Sequence, residues 1–232
     1  MPKGRLHEQG LLRSRPRQGP AGALPVGLRT LGSEAVPTES YLYVPAGYRA
    51  ENPAPLVLVL HGAGEDARDG LAQLRYQADE VGIVLLACSS CGPTWDLILN
   101  RGHYGPDIAA IDLTLGDAFS RCAVDPARMG VGGYSDGASY ALALGLANGD
   151  LFSHVLAFSP GFLAPTGQSG SPRVFVSHGT RDGWLPIDSC SRPIVTRLKR
   201  AGYKVRYRQF EGGHVVPPAI AREAASWFAD QG

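Results

Sequence analysis

The segment that most constrains this chain is Gly133-Tyr134-Ser135-Asp136-Gly137. The apolar residues before it predict a short buried strand over 129–133, and the apolar run after it predicts a helix over 135–148. Glycines on both sides of Ser135 let the backbone turn tightly between the two elements without a Cβ clash. A serine on such a turn, at the amino end of a helix, is typical of a nucleophile elbow.

Strands and helices alternate along the rest of the chain. The continuous apolar run at 55–60 is typical of a parallel strand that is buried on both faces. An antiparallel pair is predicted over 27–31 and 39–44, and further strands over 83–87, 129–133, 154–158, 174–178 and 205–210. Helices are predicted over 70–81, 108–123, 135–148, 188–201 and 217–229. The alternation predicts an α/β fold of three layers, in which helices cover both faces of a mostly parallel central sheet.

Length and composition limit the domain organisation. The chain has 232 residues, of which 44% are hydrophobic, and this fits a single catalytic domain over 23–232 better than two small domains. Residues 1–22 are rich in Arg, Gly, Pro and Gln and are predicted to form a flexible leader. They lack the apolar segment of a secretory signal, which predicts a cytoplasmic protein, with export as the alternative if the natural amino terminus differs.

The charge and hydropathy of the chain exclude several classes of partner. The formal net charge of +1 provides no basic field to attract nucleic acid, and no apolar run approaches the roughly 20 residues that span a bilayer. The sequence therefore predicts no nucleic-acid partner and no membrane partner. The run Arg13-Ser14-Arg15-Pro16-Arg17 leaves a transient nucleic-acid contact as the alternative. Composition does not distinguish a monomer from a homodimer.

Cysteine usage gives no sign of metal or redox chemistry. Cys88 and Cys91 have the spacing of a redox motif, but they follow a predicted strand and do not begin a helix. A structural role is therefore favoured over a reactive one. No set of Cys or His residues has the spacing of a zinc site, and no dinucleotide or phosphate-binding fingerprint follows a strand. The sequence predicts no metal and no organic cofactor.

The residues that would activate Ser135 are present in the required order. A serine hydroxyl is a poor nucleophile at neutral pH and needs a base that is itself held by an acid. Asp182 follows the predicted strand at 174–178, and His214 lies in a glycine-rich loop after the next strand. Both are expected at the carboxyl edge of the sheet, where open parallel sheets place their ligand-binding groups. We predict a catalytic triad of Ser135, His214 and Asp182.

Each of these residues also has an ordinary structural interpretation. Asp is common in turns of the type Arg-Asp-Gly, and His214 could be a simple loop residue. Asp188 is an alternative acid, although it fits better as the N-cap of the following helix. No other histidine follows Asp182 in the chain, so His214 alone preserves the order of the triad.

Acyl transfer also requires hydrogen-bond donors directed at the oxyanion. The backbone N–H of Asp136, directly after the serine, is the first predicted donor. The second is the N–H of Ala63, in the loop Leu60-His61-Gly62-Ala63-Gly64, whose glycines allow the backbone to approach a substrate closely. His61 is expected to brace this loop through its side chain, and His178 is also interpreted as structural.

Four segments together resemble the α/β-hydrolase superfamily: 60–64, 133–137, 178–182 and 211–214. Within it they resemble the small, lidless serine esterases of the phospholipase/carboxylesterase and dienelactone-hydrolase-like groups. The resemblance covers roughly residues 40–230 and implies the three-layer α/β-hydrolase fold. Dienelactone hydrolases carry cysteine at the nucleophile position, where this chain has Ser135. The segments 105–108 and 124–128 are similar to the approach to the elbow in secreted polyester depolymerases and feruloyl esterases.

The expected substrate site is open. The segment 159–172 is too short and too rich in Gly, Pro and Ser to form a helical cap, so no large cap domain is predicted. Trp184 and Leu185, just past the acid, are predicted to form one wall. Four aromatic residues are further candidates for apolar lining, with the core as an equal alternative: Tyr134, Trp95, Tyr104 and Phe162.

The functional hypothesis is a serine carboxylic-ester hydrolase that acts through an acyl-enzyme on a small-molecule ester, with a short acyl chain or an accessible ester bond. An acyl-thioesterase, a polyester or feruloyl-type esterase and a peptidase are alternatives on the same triad. A non-catalytic binding protein on a hydrolase scaffold is the alternative of another class.

Overall fold

Eight strands form one sheet in the computed structural model, which describes residues 7–16, 24–31, 38–164 and 167–230. They are β1 (Gly27–Leu31), β2 (Ser40–Val44), β3 (Ala54–Leu60), β4 (Val84–Cys88), β5 (Val124–Tyr134), β6 (His154–Phe158), β7 (Arg173–Gly179) and β8 (Val205–Phe210). The order across the sheet is β1-β2-β4-β3-β5-β6-β7-β8. β2 pairs antiparallel with β1 and β4, and every later pairing is parallel. The predicted antiparallel opening and mostly parallel sheet are confirmed.

The helices of the described residues cover both faces of this sheet. They are α1 (Ala67–Ala72), α2 (Arg75–Val81), α3 (Asp96–Leu99), α4 (Pro106–Arg121), α5 (Asp136–Ala147), α6 (Ser191–Arg200) and α7 (Pro218–Ala229). Successive residues of β3 point to opposite faces, so Leu56 and Leu58 join a core with α4, α5 and α6, whereas Val57 and Val59 join a core with α1, α2 and α7. The three-layer fold is thereby confirmed.

Two helical features differ from the prediction. The helix predicted over 70–81 is two helices, and the first begins earlier because Asp66 forms a capping box with Asp69. The short helix α3 was not predicted at all, since four residues are too few for a periodic pattern.

The described residues between β6 and β7 contain no helix, so no large cap lies over the sheet in the described chain. None of the described helices combines the length and apolar character that a bilayer span requires.

Residues 7–16 lie in the segment predicted to be a flexible leader, and here the structure differs from the prediction. Asn148, buried at the end of α5, accepts a hydrogen bond from Leu12 N (2.8 Å) and donates one to Gly10 O (2.7 Å). The Asp112 carboxylate accepts from Arg13 N (2.9 Å) and Ser14 N (2.8 Å). These partners lie 98 to 138 residues away in sequence, which is why local composition gave no sign of the contact. The rest of the predicted leader, 1–6 and 17–22, lies outside the described residues.

Replacement of Gly10 by alanine tests whether this segment is docked. Gly10 has φ +72°, and a Cβ there would overlap the ring of Tyr104, which is buried edge-on against Tyr140. Gly82→Ala is the matched control, because Gly82 has φ +70° and open space around its Cβ position. We expect Gly82→Ala to lower the free energy of unfolding by about 1 kcal/mol and Gly10→Ala by about 2–4 kcal/mol.

Urea denaturation would measure both free energies, and limited trypsin digestion would report cleavage of the Arg13–Ser14 bond, since Pro16 blocks cleavage after Arg15. Release of the segment in Gly10→Ala would appear as faster cleavage after Arg13. Equal or smaller destabilisation by Gly10→Ala, with unchanged cleavage, would show that residues 7–16 are not docked.

His154 makes stability depend on pH. Its ring lies edge-on to Trp227 (4.9 Å) and Phe228 (5.2 Å), and burial lowers its pKa to about 4, with a smaller contribution from the charge of Arg173. Between pH 6.5 and about pH 4, His154 is protonated in the unfolded chain but stays neutral in the folded chain. The free energy of unfolding therefore decreases as the pH falls through this range. A pKa shift of this size corresponds to about 3 kcal/mol, and because the ring lines a cleft that is open to solvent, which screens the charge, we expect a loss of about 2 kcal/mol.

Urea denaturation at pH 7 and at pH 4.5 would measure the expected loss of stability, because the two values span most of the interval between the unfolded and folded pKa of His154. His154→Phe keeps an aromatic ring but removes the titration, so its stability should fall less steeply over the same interval. His103→Gln, at an exposed loop position, is the control and should behave as the wild type. A slope in His154→Phe as steep as that of the wild type would contradict the assignment.

Candidate active site

The turn after β5 has the geometry of an elbow. Ser135 adopts φ 57° and ψ −117°, a conformation that is rare for residues other than glycine, and its N–H donates to Phe158 O (2.9 Å). A Cβ atom on Gly133 would overlap Gly137 O, and one on Gly137 would overlap Leu60 O and His61 O. The two glycines therefore allow α5 to begin against the end of β3, and Ser135 lies at the amino end of that helix.

His214 lies between the other two residues of the predicted triad. Its Nε2 is 2.9 Å from Ser135 Oγ, and its Nδ1 is 2.6 Å from Asp182 Oδ2. His214 follows β8 and Asp182 follows β7, and the two loops meet because Gly179 leaves room for the carbonyls of Gly212 and Gly213. The structure thus brings together all three residues at the carboxyl edge of the sheet.

Asp182 is buried and receives hydrogen bonds on both carboxylate oxygens. Oδ1 accepts from the backbone N–H groups of Trp184 (3.0 Å) and Leu185 (2.9 Å), and Oδ2 faces His214. Burial by itself raises the pKa of this carboxyl, but the hydrogen bonds from Leu185 and His214 outweigh it, so the pKa is lowered. Asp182 is therefore an anion held in one orientation. Asp188, the alternative acid, is exposed, pairs with Arg192 and does not cap α6, whose N-cap is Cys190.

A second histidine contacts the same carboxylate. His178 is fully buried, and its Nε2 is 2.7 Å from Leu185 O and 3.2 Å from Asp182 Oδ2. Burial lowers the pKa of His178, so the neutral ring carries its proton on Nε2 and donates to these acceptors. The ring thereby supports Asp182 and the backbone of Leu185 together, in agreement with the structural interpretation from the sequence.

Tyr134 packs on the imidazole of His214, with ring centroids 4.8 Å apart. Its hydroxyl donates to His214 O (2.6 Å), and burial raises its pKa to about 12, so it stays a donor. The residue before the serine therefore holds the loop of the histidine as well as lining the site.

The two predicted oxyanion donors face the same cleft as Ser135. Within the described residues, the N–H groups of Ala63 and Asp136 donate no hydrogen bond to the protein. The side chain of His61 braces the loop as predicted, since Nδ1 donates to Gly62 O (2.7 Å) and Nε2 accepts from Ser90 N (2.9 Å). Thr94, which the sequence analysis missed, donates its hydroxyl to Asp136 Oδ2 (2.7 Å). Both N–H groups are thus held in place and available to a ligand.

The cleft at Ser135 has a volume of about 330 Å³. Three predicted substrate-binding residues line it, namely Tyr134, Trp184 and Leu185. Trp184 is 85% exposed, so a large aromatic surface is available to a substrate at the mouth of the cleft.

The other three predicted lining residues lie elsewhere, and the core interpretation holds for them. Trp95 is fully buried beneath the loop at 60–64, donates Nε1–H to His61 O (2.9 Å) and packs on Tyr140. Tyr104 is buried edge-on against Tyr140, and Phe162 packs against the larger core. Periodicity does not define which face a loop aromatic presents, so the sequence could not separate core from cleft here.

Among the described residues, no group of three or more His, Cys, Asp or Glu side chains is arranged to hold a metal ion. The cysteines of the described chain form no disulfide. Burial and a hydrogen bond with Asp107 raise the pKa of Cys91 to about 12, which disfavours the reactive thiolate.

The sheet order, the elbow and the uncapped carboxyl edge are those of the α/β-hydrolase fold. No protein-family model matches the sequence, and no curated protein is significantly similar to it. Among solved structures, esterase PE8 is similar with a TM-score of 0.65 and 22% identity, over 87% of this chain and 98% of that chain.

Two further structures show the same likeness. The S-formylglutathione hydrolase FrmB from Staphylococcus aureus aligns with a TM-score of 0.69 and 14% identity, over 90% of this chain and all (100%) of that chain. A truncated carbohydrate esterase from gut microbiota aligns with a TM-score of 0.69 and 12% identity, over 93% and 98% of the two chains. At these identities the likeness establishes the fold.

Proposed function

We propose that this protein is a serine hydrolase of carboxylic esters. The observation that carries the proposal is the position of His214, with Nε2 2.9 Å from Ser135 Oγ and Nδ1 2.6 Å from Asp182 Oδ2. A hydroxyl, an imidazole and a buried carboxylate in this order form a proton path that activates the hydroxyl. The solved structures named as esterases and hydrolases give the proposal further support.

In the acylation step, Ser135 Oγ attacks the carbonyl carbon of the ester while its proton passes to His214 Nε2. Asp182 accepts the Nδ1–H of the ring, which fixes the tautomer and stabilises the imidazolium. The negative charge on the carbonyl oxygen is stabilised by the backbone N–H groups of Ala63 and Asp136. The amino end of α5 adds a favourable electrostatic potential at the same point.

In the second half of the reaction, the tetrahedral intermediate collapses and His214 gives its proton to the leaving alcohol. A water molecule then attacks the acyl-enzyme, again with His214 as the base, and releases the carboxylic acid and free Ser135. The small cleft and its exposed Trp184 favour short acyl chains, or an ester bond that projects from a larger molecule.

A thioester is the second candidate substrate, because two of the similar structures are named as S-formylglutathione hydrolases. The same acyl-enzyme serves both bonds, so the triad does not separate them. Parallel assays on acetyl esters and acetyl thioesters of matched size would show which bond is hydrolysed faster.

The proposal is tested by hydrolysis of p-nitrophenyl esters from acetate to palmitate, together with labelling by an organophosphonate that reacts with activated serines. We expect hydrolysis of the short esters and a mass increase on the peptide that contains Ser135. A folded protein that hydrolyses neither esters nor thioesters and takes no label would refute the proposal and favour a non-catalytic binding protein.

A further inference from the structure

A carboxylate lies beside the loop at 60–64, which carries the N–H of Ala63, and it has no part in the mechanism described so far. Glu65 follows this loop directly, and its Oε2 accepts the N–H of Gly62 at 2.7 Å. A Cβ atom on Gly62 would be 3.0 Å from Glu65 Oε2 and 3.3 Å from Tyr134 Cδ1. Gly62 and Tyr134 both line the cleft, so the Glu65 carboxylate, which is bonded to the residue before Ala63, adjoins the cleft lining without belonging to it.

No positively charged side chain among the described lining residues of the cleft offsets the negative charge of Glu65. The lining residues of the described chain include the carboxylate of Asp136 and contain no lysine or arginine. Arg181, next to Asp182 in sequence, is paired with Glu211 at 3.0 Å. Apart from the oxyanion N–H groups, a substrate carboxylate or phosphate near the reacting carbonyl would therefore meet the carboxylates of Asp136 and Glu65 and, among the described lining residues, no lysine or arginine side chain.

We infer that the substrate is an ester with no negative charge near its carbonyl group, and that Glu65 is the residue that sets this preference. The inference rests on the proposed ester hydrolysis. Specificity is a difference between affinities, and a fixed like charge lowers the affinity for the wrong substrate without improving that for the right one. The exposed indole of Trp184 complements this role, because it offers apolar or cation–π contacts to neutral or cationic groups.

Three acetyl esters that differ in the charge of the leaving group test the inference. They are para-acetoxybenzoate (anionic), its methyl ester (neutral) and para-acetoxyphenyl-trimethylammonium (cationic). The variant is Glu65→Gln, which removes the charge but keeps an oxygen that can accept the N–H of Gly62. The measured quantity is kcat/KM for each charged ester divided by that for the neutral ester, so that loss of general activity cancels.

We expect Glu65→Gln to raise the anionic-to-neutral ratio about fivefold at low ionic strength and to lower the cationic-to-neutral ratio. The change should largely vanish when ionic strength rises from about 0.01 M to about 1 M, because the screening length falls from about 30 Å to about 3 Å. Glu51→Gln is the matched control, since Glu51 is exposed before β3, at the opposite edge of the sheet from the cleft.

Ratios that stay within about twofold of the wild type in Glu65→Gln would overturn the inference, as would an equal change in Glu51→Gln or no dependence on salt. These outcomes leave ester hydrolysis itself in place. If none of the three esters is hydrolysed and the phosphonate does not label Ser135, the proposed function fails and the inference fails with it.

Discussion

Replacement of Ser135 by alanine is expected to lower kcat for p-nitrophenyl acetate by about 10⁵-fold and to leave the fold intact. The hydroxyl is the nucleophile of the proposed reaction, and it lies within hydrogen-bond distance of His214 Nε2, at 2.9 Å. The backbone strain at φ 57° is the same for alanine as for serine, so the free energy of unfolding should change by less than about 1 kcal/mol.

Initial rates and urea denaturation, measured on the same preparations, would check both parts of this expectation. Ser120→Ala, on the exposed face of α4, is the matched control and should retain wild-type kcat. Wild-type activity in Ser135→Ala would show that another residue performs the reaction. A large loss of stability in that variant would mean that the hydroxyl has a structural role that the contacts do not indicate.

Replacement of Asp182 by asparagine is expected to lower kcat by about 10⁴-fold, with little change in the fold. The Oδ1 position accepts two backbone N–H groups, from Trp184 and Leu185, so the amide oxygen of the asparagine must occupy it. The NH₂ group of the asparagine must then face His214 Nδ1. It donates a hydrogen bond to this nitrogen, whereas the carboxylate oxygen of Asp182 accepts one from it. His214 consequently carries its proton on Nε2, which can no longer receive the proton of Ser135.

Steady-state kinetics on p-nitrophenyl acetate would measure the loss in Asp182→Asn. Asp188→Asn makes the same chemical change at the alternative acid, which is exposed and paired with Arg192, and should stay within about twofold of the wild type. The reverse pattern, with activity lost in Asp188→Asn and kept in Asp182→Asn, would contradict the assignment of the acid.

The elements of the fold that could be predicted are those with a local cause. The apolar run of β3 and the helical periodicity of α7 are readable in sequence, because a strand buried on both faces and an amphipathic helix each leave a repeating pattern. The division between α1 and α2 was missed because it depends on where Leu74 packs, and no pattern within the segment records that.

The same distinction between local causes and long-range contacts applies to the residues of the candidate site. Ser135, Asp182 and His214 could be chosen from their positions after predicted strands, because parallel strands deliver their following loops to one edge of the sheet. Trp95 and Tyr104 could not be assigned, since both are loop aromatics whose burial depends on contacts with Tyr140. Glu65 gave no signal, because its hydrogen bond to Gly62 exists only once the loop has folded back.

The sequence by itself determined the order of the strands and of the longer helices, the turn at Ser135 and the identity of the three residues that meet there. Each of these follows from local backbone preferences and from chain order. Only the tertiary structure decided the packing of residues 7–16 on α4 and α5, the division of the aromatics between core and cleft, and the charge at the cleft wall. These features depend on contacts between residues far apart in the chain, for which a local pattern carries no information.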